Sequence, residues 1–449
     1  MMSSSRRQAK LYVNDDRVFL PTVQAFVEKT ALGFGLGQRE ALALTLAGEE
    51  IFQYLCDTLK PGAEVEIRCE DGMYYAALDF TLPFSGFALE AFNLTARVRV
   101  EDESSLAAMG LLIASRMVDR LQLGRLADNR LQLSLRKEKS YPRMTVQGAG
   151  SPPALGKEFL VVAPAPEELK FLVGESLGRT APALLPPEFY YPGKVVDMVA
   201  SGDYRAAIVR DGVGRIGGGI LWRWSSERMV ECCGPYLLAE AEDNSAAAKS
   251  RRRMLAEALL EHCLNRIAKS PAVGLVNLYP SSDLPAGHFE SLGAIFEYRS
   301  TAPPVERGAL FRQLQEDPGA LVWGHPQLED FLRGEYRRLV LPRELRLTAD
   351  DGEDRAAASV LSSQVDRGLE KVTLYPLWPG RDIERNLAEH LALFAREGLN
   401  NIFFVMDLGD SRQASFTPAL LHHGFTPRLL LPYGGRGDLV LLQKTEGFA

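Results

Sequence analysis

Residues 251–279 read RRRMLAEALLEHCLNRIAKSPAVGLVNLY. The stretch RRRMLAEALLEHCLNRIAK carries apolar residues at helical spacing, and VGLVNLY, beyond a Ser-Pro break, has the composition of a strand. Upstream lie three further strand-like runs, YRAAIVRD, RIGGGILWRW and MVECCGPYLL. Ahead of these the order is strand FLVVAPA, helix PEELKFLVGESL, a Pro-rich turn and helix KVVDMVASG. Downstream come a short helix, AGHFESLG, and a strand, AIFEY. Strands that alternate with helices in this way predict an α/β (α+β) domain built on a mixed sheet.

The last third of the chain repeats the later half of that order. It runs AAASVLSSQ, KVTLYPLWP, helix DIERNLAEHLALFAREG, strand NIFFVMDL, helix RQASFTPALLHHG, then strands FTPRLLLPY and DLVLLQK. The endings SLGAIFEY and HHGFTPRL share a Gly near the end of a helix and a following apolar strand, which suits the left-handed C-cap that Gly accepts. Element order therefore predicts an internal duplication.

Punctuation divides the rest. SYPRMTVQGAGSPPALGK, 140–157, collects Ser, Pro and Gly without periodicity and reads as a linker, with a second seam at 299–309, RSTAPPVERGA. The expected domains are 1–142, 156–300 and 301–449, with 143–155 as linker. In the first, 39–59 places Leu42, Leu46, Ile51, Leu55 and Leu59 on one helical face. AEVEIRCE and MYYAALDF flank an Asp-Gly pair, a hairpin signal. FNLTARVRV, helix SLAAMGLLIASRMVDRL and strand NRLQLSLRK complete a two-layer α/β sandwich.

Composition excludes several classes. The 449 residues are 46% hydrophobic, 24% charged and 9% aromatic, as in ordinary globular chains, not disordered or fibrous ones. A net charge of -7 lacks the basic footprint of a nucleic-acid coat protein. Five cysteines without a CxxC pair suit free thiols and a cytoplasmic setting. No apolar run approaches the roughly 20 residues a membrane helix needs, and MMSSSRRQAK has no signal-peptide core. The expectation is a cytoplasmic protein that engages neither nucleic acid nor membrane.

Three motifs in the first segment carry a resemblance. Glu49 and Gln53 lie one helical turn apart, Asp79-x-Thr81-x-Pro83-Phe84 follows, and Ala107-Ala108-Met109-Gly110-Leu111 precedes Ile113, Val118 and Asp119. Together they resemble the histidine-kinase-like ATPase fold, in its anti-sigma-factor serine kinase branch. The resemblance implies an ATP site in which Glu49 is the base, Gln53 the Mg²⁺ ligand, Asp79 and Thr81 the adenine contacts and Gly110 part of the phosphate lid. Gln stands where the family has Asn, Thr81 where it has Gly, and Ala107 and Ala108 where it has a flexible Gly pair. Weak or lost ATP binding is the expectation, with a sigma-factor-like or anti-anti-sigma-like protein as partner.

The second and third segments resemble tandem GNAT-superfamily acyltransferase domains by element order. That family binds acyl-CoA where two strands splay apart, with the pyrophosphate cradled at a helix start. On this resemblance Arg251, Arg252, Arg253 and Ala256 form the acetyl-CoA or acyl-CoA phosphate loop, with Met254 in place of a Gly. Glu231 on the fourth strand and Tyr279 after the fifth take the places of base and acid. The third segment, with Asp382 and Glu384 at the matching helix, is expected to be a scaffold copy. Cys232 and Cys233 point to opposite faces of the sheet. Gly217-Gly218-Gly219 falls mid-strand, where glycines mark a bulge or close backbone approach. The six histidines show no metal-ligand spacing, and the adjacent His422 and His423 are expected on different helix faces. Two functions compete: a regulatory binding protein, or a working N-acyltransferase with an ATPase-like sensor domain.

Overall fold

The computed structural model describes residues 6–445, except 60, 84–92, 94, 96–109, 111–112, 127–129, 146–154, 182–183, 239–244, 300–301, 349–354 and 367–368. The chain is a mixed α/β protein that divides into two compact units. The first comprises Met1–Ser140, Asp350–Phe404 and Pro418–Gly424; the second comprises Tyr141–Ala349, Val405–Thr417 and Phe425–Ala449. No described helix is long and apolar enough to cross a membrane.

In the first unit β1 (Gln8–Asn14), β2 (Glu64–Asp71), β3 (Tyr75–Pro83), β4 (Arg120–Arg125) and β5 (Arg130–Glu138) form an antiparallel sheet in the order β1-β2-β3-β5-β4. The Asp-Gly signal holds. β2 and β3 pair across it, with Asp71 Oδ1 accepting from the Met73 N–H at 2.8 Å. Helices α1 (Leu20–Gly33) and α2 (Gln38–Thr58) pack on the sheet through a shared apolar core. Of the expected face of α2, Ile51, Leu55 and Leu59 are buried, but toward its N-terminal end Leu42 is 56% exposed and Leu46 half-buried, with Leu44 in the core instead. Gly48 lies on the buried face: a Cβ there would stand 2.9 Å from Leu78 Cδ2 of β3, so the Leu78 side chain would have to shift. Val360, Leu377 and Trp378 join the same core from far along the chain.

The second unit holds a seven-stranded sheet of β6 (Phe159–Val162), β7 (Arg205–Asp211), β8 (Ile216–Trp224), β9 (Met229–Leu237), β10 (Gly274–Tyr279), β11 (Glu290–Arg299) and β12 (Ala302–Gln313). Its order is β11-β12-β10-β9-β8-β7-β6. Helices α3 (Pro166–Arg179) and α4 (Pro192–Ala200) lie between β6 and β7 in sequence, and α5 (Ala246–Ile267) links β9 to β10. β9 and β10 are the one parallel pair here among described pairings, since a helical crossover returns the chain in the same direction. β9 is buried at every residue, and Leu255, Leu259 and Cys263 of α5 pack with Val230 and Cys232. β11 and β12 pair antiparallel, with Arg299 opposite Ala302. The strands on either side of the boundary expected at 300/301 therefore belong to one sheet. Pro303 and Pro304, which suggested a seam, sit at the beginning of β12, where proline is tolerated.

A parallel pair, β13 (Ala320–Gly324) and β14 (Arg343–Leu347), is joined through α6 (Glu329–Arg338). The last sheet, β15 (Val360–Asp366), β16 (Lys371–Trp378), β17 (Asn401–Asp407), β18 (Phe425–Leu431) and β19 (Leu439–Lys444), has the order β15-β16-β17-β19-β18. Helix α7 (Ile383–Arg396) links the parallel strands β16 and β17. This repeats β8-β9-β10-β12-β11 with α5 in the matching place, as the duplication predicts. A last helix, α8, spans Thr417–His422.

Candidate functional site

The parallel strands β9 and β10 lose their ladder at the Cys233–Tyr279 pair, after a register shift between Asn277 and Tyr279. Beyond that point side chains bridge the two segments. Asn277 donates from Nδ2 to the Gly234 carbonyl at 2.8 Å, and the Ser281 hydroxyl donates to the Pro235 carbonyl. Asp283 Oδ2 accepts from the Leu237 N–H at 3.2 Å, while its Oδ1 accepts from Arg252 at 2.5 Å. Backbone groups that strand divergence would leave unpaired are thus satisfied from within the chain.

Glu231 lies on β9 opposite Arg223 of β8, which donates to its Oε2 from Nε at 2.8 Å. The carboxylate is 98% withdrawn from solvent as judged by its 2% exposure, and its Oε1 has no hydrogen-bond partner among the described residues. The hydroxyl of Tyr236, also on β9, is buried without one too. Tyr279 ends β10 with the Arg307 guanidinium over its ring, 4.2 Å from the centroid. Arg307 is buried, paired to Glu297 of β11 at 3.2 Å and donating to the Leu278 carbonyl. Burial pushes the Tyr279 hydroxyl up, against the opposing pull of Arg307, so it stays protonated. Cys232 and Cys233 are both buried, and burial holds both thiols well above their ordinary range. Neither is a nucleophile.

The expected phosphate loop is instead interior helix. Helix α5 begins at Ala246, with the Ser245 hydroxyl capping it by accepting from the Ala248 N–H at 3.1 Å. Arg251, Arg252, Arg253 and Ala256 therefore lie beyond its first turn, where backbone N–H groups serve the helix itself. Arg251 donates to the Gly156 carbonyl, Arg252 pairs with Asp283, and Arg253 pairs with Glu257 at 2.8 Å. Ala256 is buried in the core. The early start follows from Ser245-Ala-Ala-Ala: a good N-cap before three strong helix formers. Gly218, in the mid-strand glycine run, has φ +154°, and a Cβ there would meet the Tyr236 carbonyl at 2.6 Å. This is the close backbone approach expected of it.

In the first unit, Gln53 donates from Nε2 to Glu49 Oε1 at 3.3 Å, so the two motif residues meet as the one-turn spacing requires. Asp79 is buried and already engaged. Arg68, directly opposite on β2, donates from Nη2 to Oδ2 at 2.6 Å, and the Ser134 hydroxyl of β5 donates to Oδ1 at 2.6 Å. Thr81, on the same strand, is half-buried between its ladder partners Glu66 and Gln132. Gly110 is buried where a Cβ would stand 2.7 Å from Glu50 Oε2, and burial pushes the Glu50 carboxyl up. Phe84, Ala107, Ala108, Met109 and Leu111 lie outside the described residues. Arg68, Arg223, Asn277, Ser281, Asp283 and Arg307 escape sequence reading. The one signal is a polar run, Ser281-Ser282-Asp283, directly after an apolar strand.

No family model and no curated protein sequence matches the chain. Among solved structures, part of the chain is similar to a putative acetyltransferase from Acinetobacter baylyi, at 12% identity over 35% of this chain and 93% of that one, with TM-score 0.27. It is similar to a GNAT superfamily phosphinothricin acetyltransferase from Sinorhizobium meliloti in complex with AcCoA, at 12% identity, 35% and 89% coverage and TM-score 0.27. A third is a putative GNAT-family acetyltransferase from Desulfovibrio desulfuricans, at 13% identity, 35% and 100% coverage and TM-score 0.26.

Proposed function

We propose that this is a regulatory protein that acts by binding, on an acyltransferase-like sheet and an ATPase-like sandwich whose reactive positions have been given over to internal contacts. One observation carries the proposal. Asn277, Ser281 and Asp283 satisfy the backbone of β9 where, on the GNAT resemblance, acyl-CoA would enter. The same substitution of internal for external partners recurs at Asp79, held by Arg68 and Ser134. The motif resemblance supports a sigma-factor-like or anti-anti-sigma-like protein as the partner of the first unit, with Mg-ATP weak or dispensable. The test is a thermal melt of the full chain with acetyl-CoA and, separately, Mg-ATP. A ligand at 100 times its dissociation constant stabilises by about 2.7 kcal/mol, an easily read shift. The expected result is no shift with acetyl-CoA; a clear one overturns the proposal.

A second function, acyl-CoA-dependent N-acyltransfer, is favoured by the unpartnered Oε1 of buried Glu231. A carboxylate oxygen held without a donor is suited to accept a proton from an amine, and protonated Tyr279 to supply one to a leaving thiolate. Its test is thiol release from acetyl-CoA across a panel of primary amines. Release that depends on Glu231, lost in Glu231→Gln, establishes this function in place of the first.

A further inference from the structure

His422 and His423 do not point apart. Their ring nitrogens converge on one oxygen of Glu384, His422 Nδ1 at 2.6 Å and His423 Nε2 at 2.9 Å from Oε1. The expectation of different faces fails because α8 stops at His422, so the helical rotation per residue no longer applies to His423. Glu384 belongs to the first turn of α7, and all three residues lie in the first unit. Their ligand atoms fall within 4.8 Å of one another.

We propose that Glu384, His422 and His423 form a binding site for a divalent transition-metal ion of the zinc class. The donor set selects the metal. Two imidazole nitrogens and one carboxylate oxygen suit zinc, copper, nickel or iron, whereas calcium and magnesium take oxygen ligands. The geometry needs little change. Zinc sits about 2.0–2.2 Å from nitrogen and oxygen ligands, which places tetrahedral donors roughly 3.3 Å apart. The carboxylate therefore has to withdraw by roughly half an ångström. Glu384 is half exposed and the His422 side chain largely so, which leaves both free to adjust. Three protein ligands leave the fourth position to water or an incoming group. An ion here would clip the start of α7 to the end of α8 through three coordinate bonds, in place of the one hydrogen bond between His422 and Glu384.

The experiment uses the full chain, stripped with chelator and dialysed, then titrated calorimetrically with zinc chloride. One equivalent should bind, and Glu384→Gln and His423→Ala should each weaken binding at least tenfold. His288→Ala, remote in sequence, should leave it unchanged. Cobalt(II) supplies a second measurement on the same variants, since a tetrahedral site gives visible d–d absorption that Glu384→Gln should abolish. Zinc that fails to bind, or binds equally well to both ligand variants, overturns the site. So does a thiolate-to-cobalt charge-transfer band, which would place the ion on a cysteine.

Discussion

Asn277 reaches across the end of a parallel strand pair to the carbonyl of Gly234, 2.8 Å away, and is fully buried there. Its Oδ1 also accepts from the Tyr279 N–H at 3.0 Å, so one amide group stitches the register shift on both sides. Asn277→Leu should leave both backbone groups unpaired and lower stability by about 1–3 kcal/mol, read as a shift in urea midpoint. An unchanged midpoint would mean that the bridge contributes nothing.

Arg223 and Glu231 should behave as a coupled pair. Removing the cation strands a buried carboxylate, so Arg223→Met is expected to cost about 3 kcal/mol or more, whereas Arg223→Met with Glu231→Gln should cost clearly less than the sum of the single changes. Additive losses in a double-mutant cycle would show that the two do not interact.

His390 makes stability depend on pH. It is fully buried, and burial lowers its pKa to about 4, against the opposing effect of its hydrogen bond to the Asn386 carbonyl. The folded state thus holds it neutral while the unfolded chain, titrating near 6.5, takes up the proton first. Its contribution is complete above about pH 6.5 and is lost as pH falls toward 4, on the order of a few kcal/mol. Urea midpoints measured from pH 7 to 4.5 should fall more steeply for the natural protein than for His390→Gln. Parallel curves would rule the group out.

The thiols should be slow. Partial burial pushes the half-buried Cys56 up to about 11 and burial pushes Cys69 up to about 12, while Cys232, Cys233 and Cys263 are buried. Little of Cys56 is therefore thiolate at pH 8. An aromatic disulfide reagent should report no fast thiol in the native protein and all five after denaturation in urea. A native burst of more than one thiol would contradict the burial of Cys69, Cys232, Cys233 or Cys263.

Periodicity and turn chemistry made much of the architecture legible. The Asp71-Gly72 hairpin, the β9–α5–β10 crossover and its later repeat follow from local patterns of apolar spacing. What escaped was set elsewhere. Which residues of the first half of α2 face the core is decided by packing on β3, where Gly48 lies against Leu78, a tertiary fact. Helix α5 begins at Ala246, ahead of the charged Arg251–Arg253, because Ser245 caps it and three alanines nucleate it. At the sites, residue types were legible but their partners were not. Nothing local to Asp79 announces Arg68, which meets it only once β2 and β3 are in register. His422 and Glu384 are likewise separated in sequence by the rest of α7, by β17 and by most of α8, and joined only by the fold.

The first unit draws one core from distant parts of the chain: strands complete by Glu138, and Val360, Leu377 and Trp378. A ribosome working at about 5–20 residues per second would release β5 some ten to forty seconds before Val360. Throughout that interval the nascent sandwich lacks part of its apolar cover, while the sequence of the second unit's large sheet emerges and can fold. Synthesis of this protein is therefore expected to lean on chaperones during elongation. Its seven-stranded sheet should become resistant to protease on the ribosome earlier than the sandwich that precedes it.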